Sequence, residues 1–163
     1  MIVRTLLFTI FVPGSVTVLV PRMLLRSDME YPLPLGVVRF AGAVIIVVGV
    51  AIYLWCAWNF IAAGHGTPNP LDAPQQLVVR GLYQFTRNPM YVGVGSIVAG
   101  EGVLFESATL LAYVTLLMLL FHLRVLTYEE PTLRRQFGAA FDAYCRRVPR
   151  WLPNLHSQEG PLQ

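Results

Sequence analysis

The chain has 163 residues, of which 55% are hydrophobic and 13% charged, against about 45–50% and about 25% in an ordinary soluble domain. This balance excludes a soluble globular protein, and the length suits one domain. The net charge is +3 and every basic residue is an arginine. The arginines gather near the C-terminus (Arg134, Arg135, Arg146, Arg147, Arg150), where a basic segment beside apolar spans points to an anionic lipid surface. Nucleic acid is not an expected partner, because no RNA- or DNA-binding motif accompanies them.

In chain order, Thr5 to Val20 is uncharged and mostly apolar, between Arg4 and Pro21–Arg22. It predicts a first membrane helix, kinked near Pro13–Gly14. Arg4 and Leu6–Val12 also match the start of a secretory signal, but no clean small-x-small cleavage site follows. Arg22 to Pro34 mixes charges with prolines and reads as a short connection. Phe40 to Trp58 holds 19 residues without a charge, close to the roughly 20 that cross a hydrocarbon layer. Gly64 to Pro74 then carries three prolines and two glycines in eleven residues, which makes it a loop or linker.

Asn88 to Gly100 is uncharged, short and glycine-rich, and Glu101 and Glu106 close it. Ser107 to Leu123 is an apolar run of 17 that includes His122. A helical hairpin turning near Glu101–Ser107 accommodates both runs, with the two glutamates as solvated turn residues and His122 as a packed or interface histidine. Pro131 to Tyr144 places Leu133, Phe137, Phe141 and Tyr144 on one helical face and Arg134, Arg135 and Asp142 elsewhere, the pattern of a helix lying at the membrane surface. The expectation is a single domain over residues 1–163: an all-α membrane protein with about four transmembrane helices, helices three and four forming the hairpin, and a C-terminal interfacial helix. Cys56 and Cys145 lie far apart in unlike settings, and His65, His122 and His156 fall in no ligand spacing, so neither a disulfide nor a metal is expected.

The hairpin turn carries two glutamates and no arginine, while Arg80, Arg87, Arg124 and the basic tail lie at its opposite end. The positive-inside rule then puts the tail and the Gly64–Arg87 loop in the cytoplasm. The same topology places Arg22, Arg26 and Arg39 on the other side, against the rule.

Two polar segments carry the chemistry, Gly81 to Gly93 before helix three and Arg124 to Pro131 after helix four. A hairpin brings the start of one helix beside the end of the next, so these segments are expected to meet at one membrane face. Arg87, Arg124, Glu129 and Glu130 then lie near Tyr83 and Tyr91, a set suited to a zwitterionic ligand with a flat ring. Simpler roles exist for each. Tyr83 and Tyr91 suit an interfacial aromatic belt, Arg87 a topology charge, Arg124 a snorkelling anchor and Glu129–Glu130–Pro131 a helix boundary.

The spacing Gly81-x-Tyr83-x-x-x-Arg87-Asn88-Pro89-x-Tyr91-x-Gly93, followed by Glu129-Glu130-x-x-Leu133-x-x-x-Phe137-Gly138-x-x-Phe141-x-x-Tyr144-x-x-x-Val148-Pro149, resembles the isoprenylcysteine carboxyl methyltransferase and phospholipid methyltransferase group. The resemblance runs from Gln75 to Pro149. It implies an integral membrane methyltransferase that uses S-adenosyl-L-methionine and methylates a lipid or lipidated substrate, carboxylate or amine, drawn from the bilayer at the cytoplasmic face. It implies a cofactor-binding part over about residues 75–150, with Gln75, Gln76, Leu77, Val78, Tyr83, Arg87, Asn88, Pro89, Met90, Tyr91 and Glu129 as cofactor-binding residues. A cofactor ammonium calls for a carboxylate, a cofactor carboxylate for arginine or backbone donors, and a sulfonium for aromatic faces.

Two positions depart from the group's pattern. Asn88 stands where the group has a histidine, and it cannot take a proton near neutral pH. Val125 stands where prenylcysteine methyltransferases have a substrate-binding arginine, with Arg124 one step earlier and about 100° round an α-helix. For a carboxylate acceptor, Arg124 is the candidate to hold it; for an amine, Glu130 and His65 are the candidate bases. Arg124 and Glu130 are thus the catalytic candidates, and Arg124 and His65 the substrate-binding ones, His65 also reading as an incidental loop residue. Two other readings compete. One is an NADPH-dependent membrane reductase of the sterol-reductase kind, which the short chain and its single small basic cluster disfavour. The other is a non-enzymatic small transporter, which calls for a membrane-embedded acid, whereas the acids here are expected at turns and ends.

Overall fold

The computed structural model describes residues 13–26, 33–62, 77 and 79–152. Among these residues the regular secondary structure is helical, with no strand. A π-helical turn, Ser15–Leu19, leads into α1, Val20–Leu25, and a 3-10 turn, Gly36–Phe40, leads into α2, Ala41–Ala62. After a second 3-10 turn, Gly81–Gln84, come α3, Pro89–Leu104, and α4, Ala108–Arg124. A π turn, Val125–Glu129, joins α4 to α5, Glu130–Phe137, and α6, Ala139–Arg147, follows. Two stretches are long and apolar enough to cross a membrane, Gly36–Asn59 with 24 residues and Ala108–Phe137 with 30.

The centre of the bundle is α3, and its glycines place it there. Gly42 and Gly49 are the two buried residues in the first ten of α2. A Cβ on Gly42 would lie 2.4 Å from the Gly100 carbonyl, and one on Gly49 would lie 2.8 Å from that of Gly93. The reciprocal distances are 2.7 Å from Gly100 to Gly42 and 3.0 Å from Gly93 to Gly49. Both glycine pairs are seven residues apart, two helical turns, so they repeat on one face. The antiparallel backbones of α2 and α3 therefore touch directly, the close approach that small residues permit between membrane helices. Gly95 and Gly102 face the other way, where an added Cβ would meet Met118 Sδ and Leu111 Cδ2, each at 2.7 Å. The expected hairpin is thus present as α3 and α4, with a core of Tyr53, Val94, Val98 and Leu117 beside it. The Tyr113 hydroxyl donates to the Val16 carbonyl at 3.2 Å and ties the first helical segment to α4.

Several expectations are corrected. The first helix does not stop before Pro21 but runs to Leu25. A π turn precedes Pro21, with the Val20 N–H bonded to the Ser15 carbonyl, and such a bulge accommodates a residue that has no N–H to donate. The same device carries α4 past Pro131, with the Glu130 N–H on the Val125 carbonyl, so Glu129–Glu130–Pro131 is no boundary. The single tail helix is instead two, because Gly138 takes φ +50° and turns the chain. Its apolar face does hold together: Phe141, Tyr144 and Val148 are buried with Leu133 and Phe137 against them, along with Leu77 and Val79. That face packs on the chain's own connection.

The hairpin turn is also more than solvated. The Glu106 carboxylate accepts the Leu35 and Gly36 N–H groups at 2.9 and 3.0 Å and lies 3.6 Å from Arg39. Glu101 sits within α3, and its Oε2 is buried without a hydrogen-bond partner among the described residues. The segment before α2 and the hairpin turn therefore share one end of the bundle, and there Arg39 faces a glutamate.

Candidate functional site

At the opposite end, four pieces of chain converge: residues 79–91, the α4–α5 junction, α6 and residues 148–152. Gly81 opens the first piece at φ +61°, and a Cβ there would lie 2.7 Å from Asn59 Nδ2, so this position needs glycine on both counts. The 3-10 turn that follows sets Tyr83 with its carbonyl accepting the Tyr144 hydroxyl at 2.7 Å and its own side chain hydrogen-bonded to Cys56. Burial pushes the Tyr83 and Tyr144 phenols above the ordinary range, and both stay protonated at neutral pH.

Two carboxylates organise the centre. The Tyr91 hydroxyl donates to Glu129 Oε1, and Arg124 Nε donates to the same oxygen at 3.1 Å. The Tyr91 ring lies on Phe121, with centroids 4.4 Å apart. Five residues separate Arg124 from Glu129, which in an α-helix would leave them about 140° apart. The π turn between them, with its i to i+5 bonding, brings the two together.

The next residue, Glu130, faces two other guanidiniums. Arg87 NH1 donates to its Oε1 at 2.9 Å, and Arg150 donates Nε to Oε1 at 2.7 Å and NH2 to Oε2 at 2.9 Å. Arg87 NH1 also lies 2.9 Å from Cys145 Sγ. For the Cys145 thiol, burial and the nearby Glu130 charge raise the pKa more than Arg87 lowers it, and it lies above the ordinary thiol range.

The expected meeting of the two polar segments is therefore found, with Tyr83, Arg87, Tyr91, Arg124, Glu129 and Glu130 at one end of the helices. Asn88 is turned to the Arg150 carbonyl, to which its Nδ2 donates at 3.1 Å. Pro89 is buried as the first residue of α3, Met90 packs on the bundle core, and Leu77 joins the cluster under α6. Gln75, Gln76, Val78 and His65 lie outside the described residues.

None of residues 149–151 was named among the expected site residues, yet they stitch the site together. The Arg87 N–H bonds to the Pro149 carbonyl at 2.9 Å, and the Thr86 hydroxyl reaches the Arg150 and Trp151 carbonyls at 3.0 and 3.1 Å. Trp151 Nε1 donates to His122 Nδ1 at 3.0 Å. The arginine run that was read as lipid-facing charge held this signal, since Arg150 follows Val148–Pro149 and cannot share the free face of Arg146 and Arg147.

The phospholipid methyltransferase family matches residues 37–140, from the 3-10 turn before α2 into α6. The chain belongs to this family of membrane methyltransferases. Over 102 residues it is 35% identical to the nickel-cobalt-cadmium resistance protein NccN of Alcaligenes xylosoxydans xylosoxydans, a match that covers 63% of this chain and 43% of that protein. The chain thus spans less than half the length of that relative. No solved structure matches it. Among the described residues no three His, Cys, Asp or Glu side chains gather as a metal site would require.

Proposed function

We propose that the protein is a multi-pass, S-adenosyl-L-methionine-dependent methyltransferase acting on a lipid or small hydrophobic acceptor, an amine or a carboxylate, at the cytoplasmic membrane face. The observation that carries this reading is the pair of ion clusters, Tyr91–Glu129–Arg124 and Arg87–Glu130–Arg150, side by side at one end of the bundle in a member of this family. The donor set fits the amino-acid end of the cofactor. Among the described residues both hydrogen bonds to Glu129 fall on Oε1, which leaves Oε2 for an ammonium, and the buried Arg87 Nε has no partner, a donor suited to a carboxylate.

In this mechanism the cofactor supplies a methyl group already activated on a sulfonium. Glu129, fixed by Tyr91 and Arg124, holds an ammonium, and Arg87 holds a carboxylate. The faces of Tyr91 and Phe121 attract a cation and exclude water. Gln75, Gln76, Leu77, Val78, Tyr83, Asn88, Pro89 and Met90 form the rest of the cofactor segment, with Asn88 ordering residue 150 in place of acid–base work. Arg124, which is 36% exposed, orients an anionic acceptor group. His65 serves at the substrate entrance. Glu130 has its oxygens engaged by two guanidiniums and acts by holding them in place, so we give it no role as a base. Positioning and charge complementarity supply the catalysis.

For the membrane we propose four spans, α3 and the segment ending in α1 being the two shorter ones. The stretch Ala108–Phe137 has 30 residues, a rod of about 45 Å at 1.5 Å per residue against about 30 Å of hydrocarbon. It carries Glu129 and Glu130 to the rim, where a lipid headgroup lies.

Titration of the detergent-purified protein with S-adenosylhomocysteine, with NADPH as control, tests the reading. Saturable binding that is lost in folded Glu129→Ala and Tyr91→Ala variants is the expected result. Binding of NADPH alone, or of neither, overturns it.

A further inference from the structure

A carboxylate has two oxygens, and a guanidinium presents a fork that can take both. Glu130 is contacted by two guanidiniums, and they share it unequally. Arg150 takes both oxygens, through Nε at 2.7 Å and NH2 at 2.9 Å, whereas Arg87 reaches Oε1 through NH1 only. The one other contact of the Arg87 guanidinium among the described residues is the Cys145 sulfur, a weak acceptor. Its Nε is buried and unpartnered there, although the Arg87 side chain is just 14% exposed.

Arg150 is itself held at its backbone. Thr86 and Asn88, the neighbours of Arg87 in sequence, both donate to the Arg150 carbonyl, and the Arg87 N–H donates to Pro149. The arginine that takes up Glu130 is thus clamped to the same short segment that carries Arg87.

We propose that Arg150 is a positioning residue that occupies Glu130 so that Arg87 stays available to the carboxylate of a bound ligand. This rests on the cofactor reading above. When Arg150 is lost, the second oxygen of Glu130 is released and Arg87 is left, among the described residues, as the one guanidinium hydrogen-bonded to it, which sets Glu130 in direct competition with the ligand carboxylate. The effect is specific to ligands with an amino-acid end.

The test is titration of the full-length protein in detergent with S-adenosylhomocysteine and with 5′-methylthioadenosine, which has the same nucleoside and thioether but no amino acid. In Arg150→Gln, affinity for S-adenosylhomocysteine is expected to fall at least about tenfold while affinity for methylthioadenosine changes less than about twofold. Arg150→Lys is expected to fall between, because an ammonium lacks the planar fork. In a Glu130→Gln background the Arg150→Gln change is expected to add nothing, since no carboxylate remains to compete for Arg87. Equal losses for both ligands, no loss for either, or a full loss that persists with Glu130→Gln would overturn the role of Arg150. A wild-type protein that binds neither ligand would instead overturn the methyltransferase reading on which it rests.

Discussion

Replacing Gly49 by alanine sets two effects of opposite sign against each other. In an exposed helix interior the change is stabilising by about 1 kcal/mol, through propensity. At position 49 the new Cβ would lie 2.8 Å from the Gly93 carbonyl and 2.9 Å from both Ile97 N and Ile97 Cγ1. Two of these neighbours are helix backbone, so relief requires α2 and α3 to separate by about half an ångström along their shared seam. Overpacking of this kind costs about 1–3 kcal/mol, and we expect a net destabilisation of about 1 kcal/mol despite the better helix former. Gly42→Ala, with its nearest contact at 2.4 Å, is expected to cost more. Ala51 lies on the same helix and is exposed, so Ala51→Leu serves as the control and is expected to stay within about 0.5 kcal/mol of wild type. Thermal unfolding of the three variants in one detergent, followed by intrinsic fluorescence, measures the order. A Gly49→Ala protein that melts higher than wild type, or an Ala51→Leu protein that melts lower than Gly42→Ala, would refute direct backbone contact between the helices.

Four further outcomes follow from the site and the turn. Glu129→Gln keeps the shape but removes the charge that would face an ammonium, and is expected to weaken S-adenosylhomocysteine at least about tenfold, or roughly 1.4 kcal/mol, in calorimetry; unchanged affinity would remove Glu129 from the proposed site. Glu106→Ala strands the Leu35 and Gly36 N–H groups and the Arg39 charge, with an expected loss of about 1–3 kcal/mol, and unaltered thermal stability would show that the pin at this end is idle. The raised pKa of Cys145 means a smaller thiolate fraction at pH 8 than an ordinary thiol has, so its alkylation, followed site by site by mass spectrometry, is expected to be slower than that of a free thiol there and to increase as pH rises further. Arg87→Gln removes the cation that opposes this rise and is expected to slow the reaction again; a faster reaction would contradict the contact.

Much of the helix order could be read from runs of apolar residues, because crossing a membrane imposes length and polarity together. Phe40–Trp58 and Ser107–Leu123 were found within a residue or two at their starts. The helix ends expected at two prolines were missed for one reason. Proline reads as a stop when an α-helical hydrogen-bond pattern is assumed, yet at Pro21 and Pro131 one π turn shifts the pattern and the helix continues. Gly138 shows the converse, since nothing in the spacing of Leu133, Phe137, Phe141 and Tyr144 marks a break, and a positive φ is a property of one residue that periodicity does not carry. The glycines of α3 were visible but were read as a composition, not as two faces; seven-residue spacing in both α2 and α3 was the legible sign that two backbones meet.

The site divides along the same line. Tyr91 and Glu129 could be paired in advance because a hairpin forces the start of α3 against the end of α4, and both residues belong to those ends. Arg150 could not, since its partner lies 20 residues away through two helices and a turn at Gly138. Charge alone placed it with Arg146 and Arg147, which are exposed and have no ion pair among the described residues. What separates Arg150 from them is the extended backbone after α6: Val148 is buried, Pro149 accepts the Arg87 N–H, and the chain is thereby led back across the site. A third guanidinium beside two carboxylates leaves the described cluster of Arg87, Arg124, Arg150, Glu129 and Glu130 with one excess positive charge. Such a site can take in a zwitterion without burying net negative charge, and it favours a ligand group that is anionic on arrival.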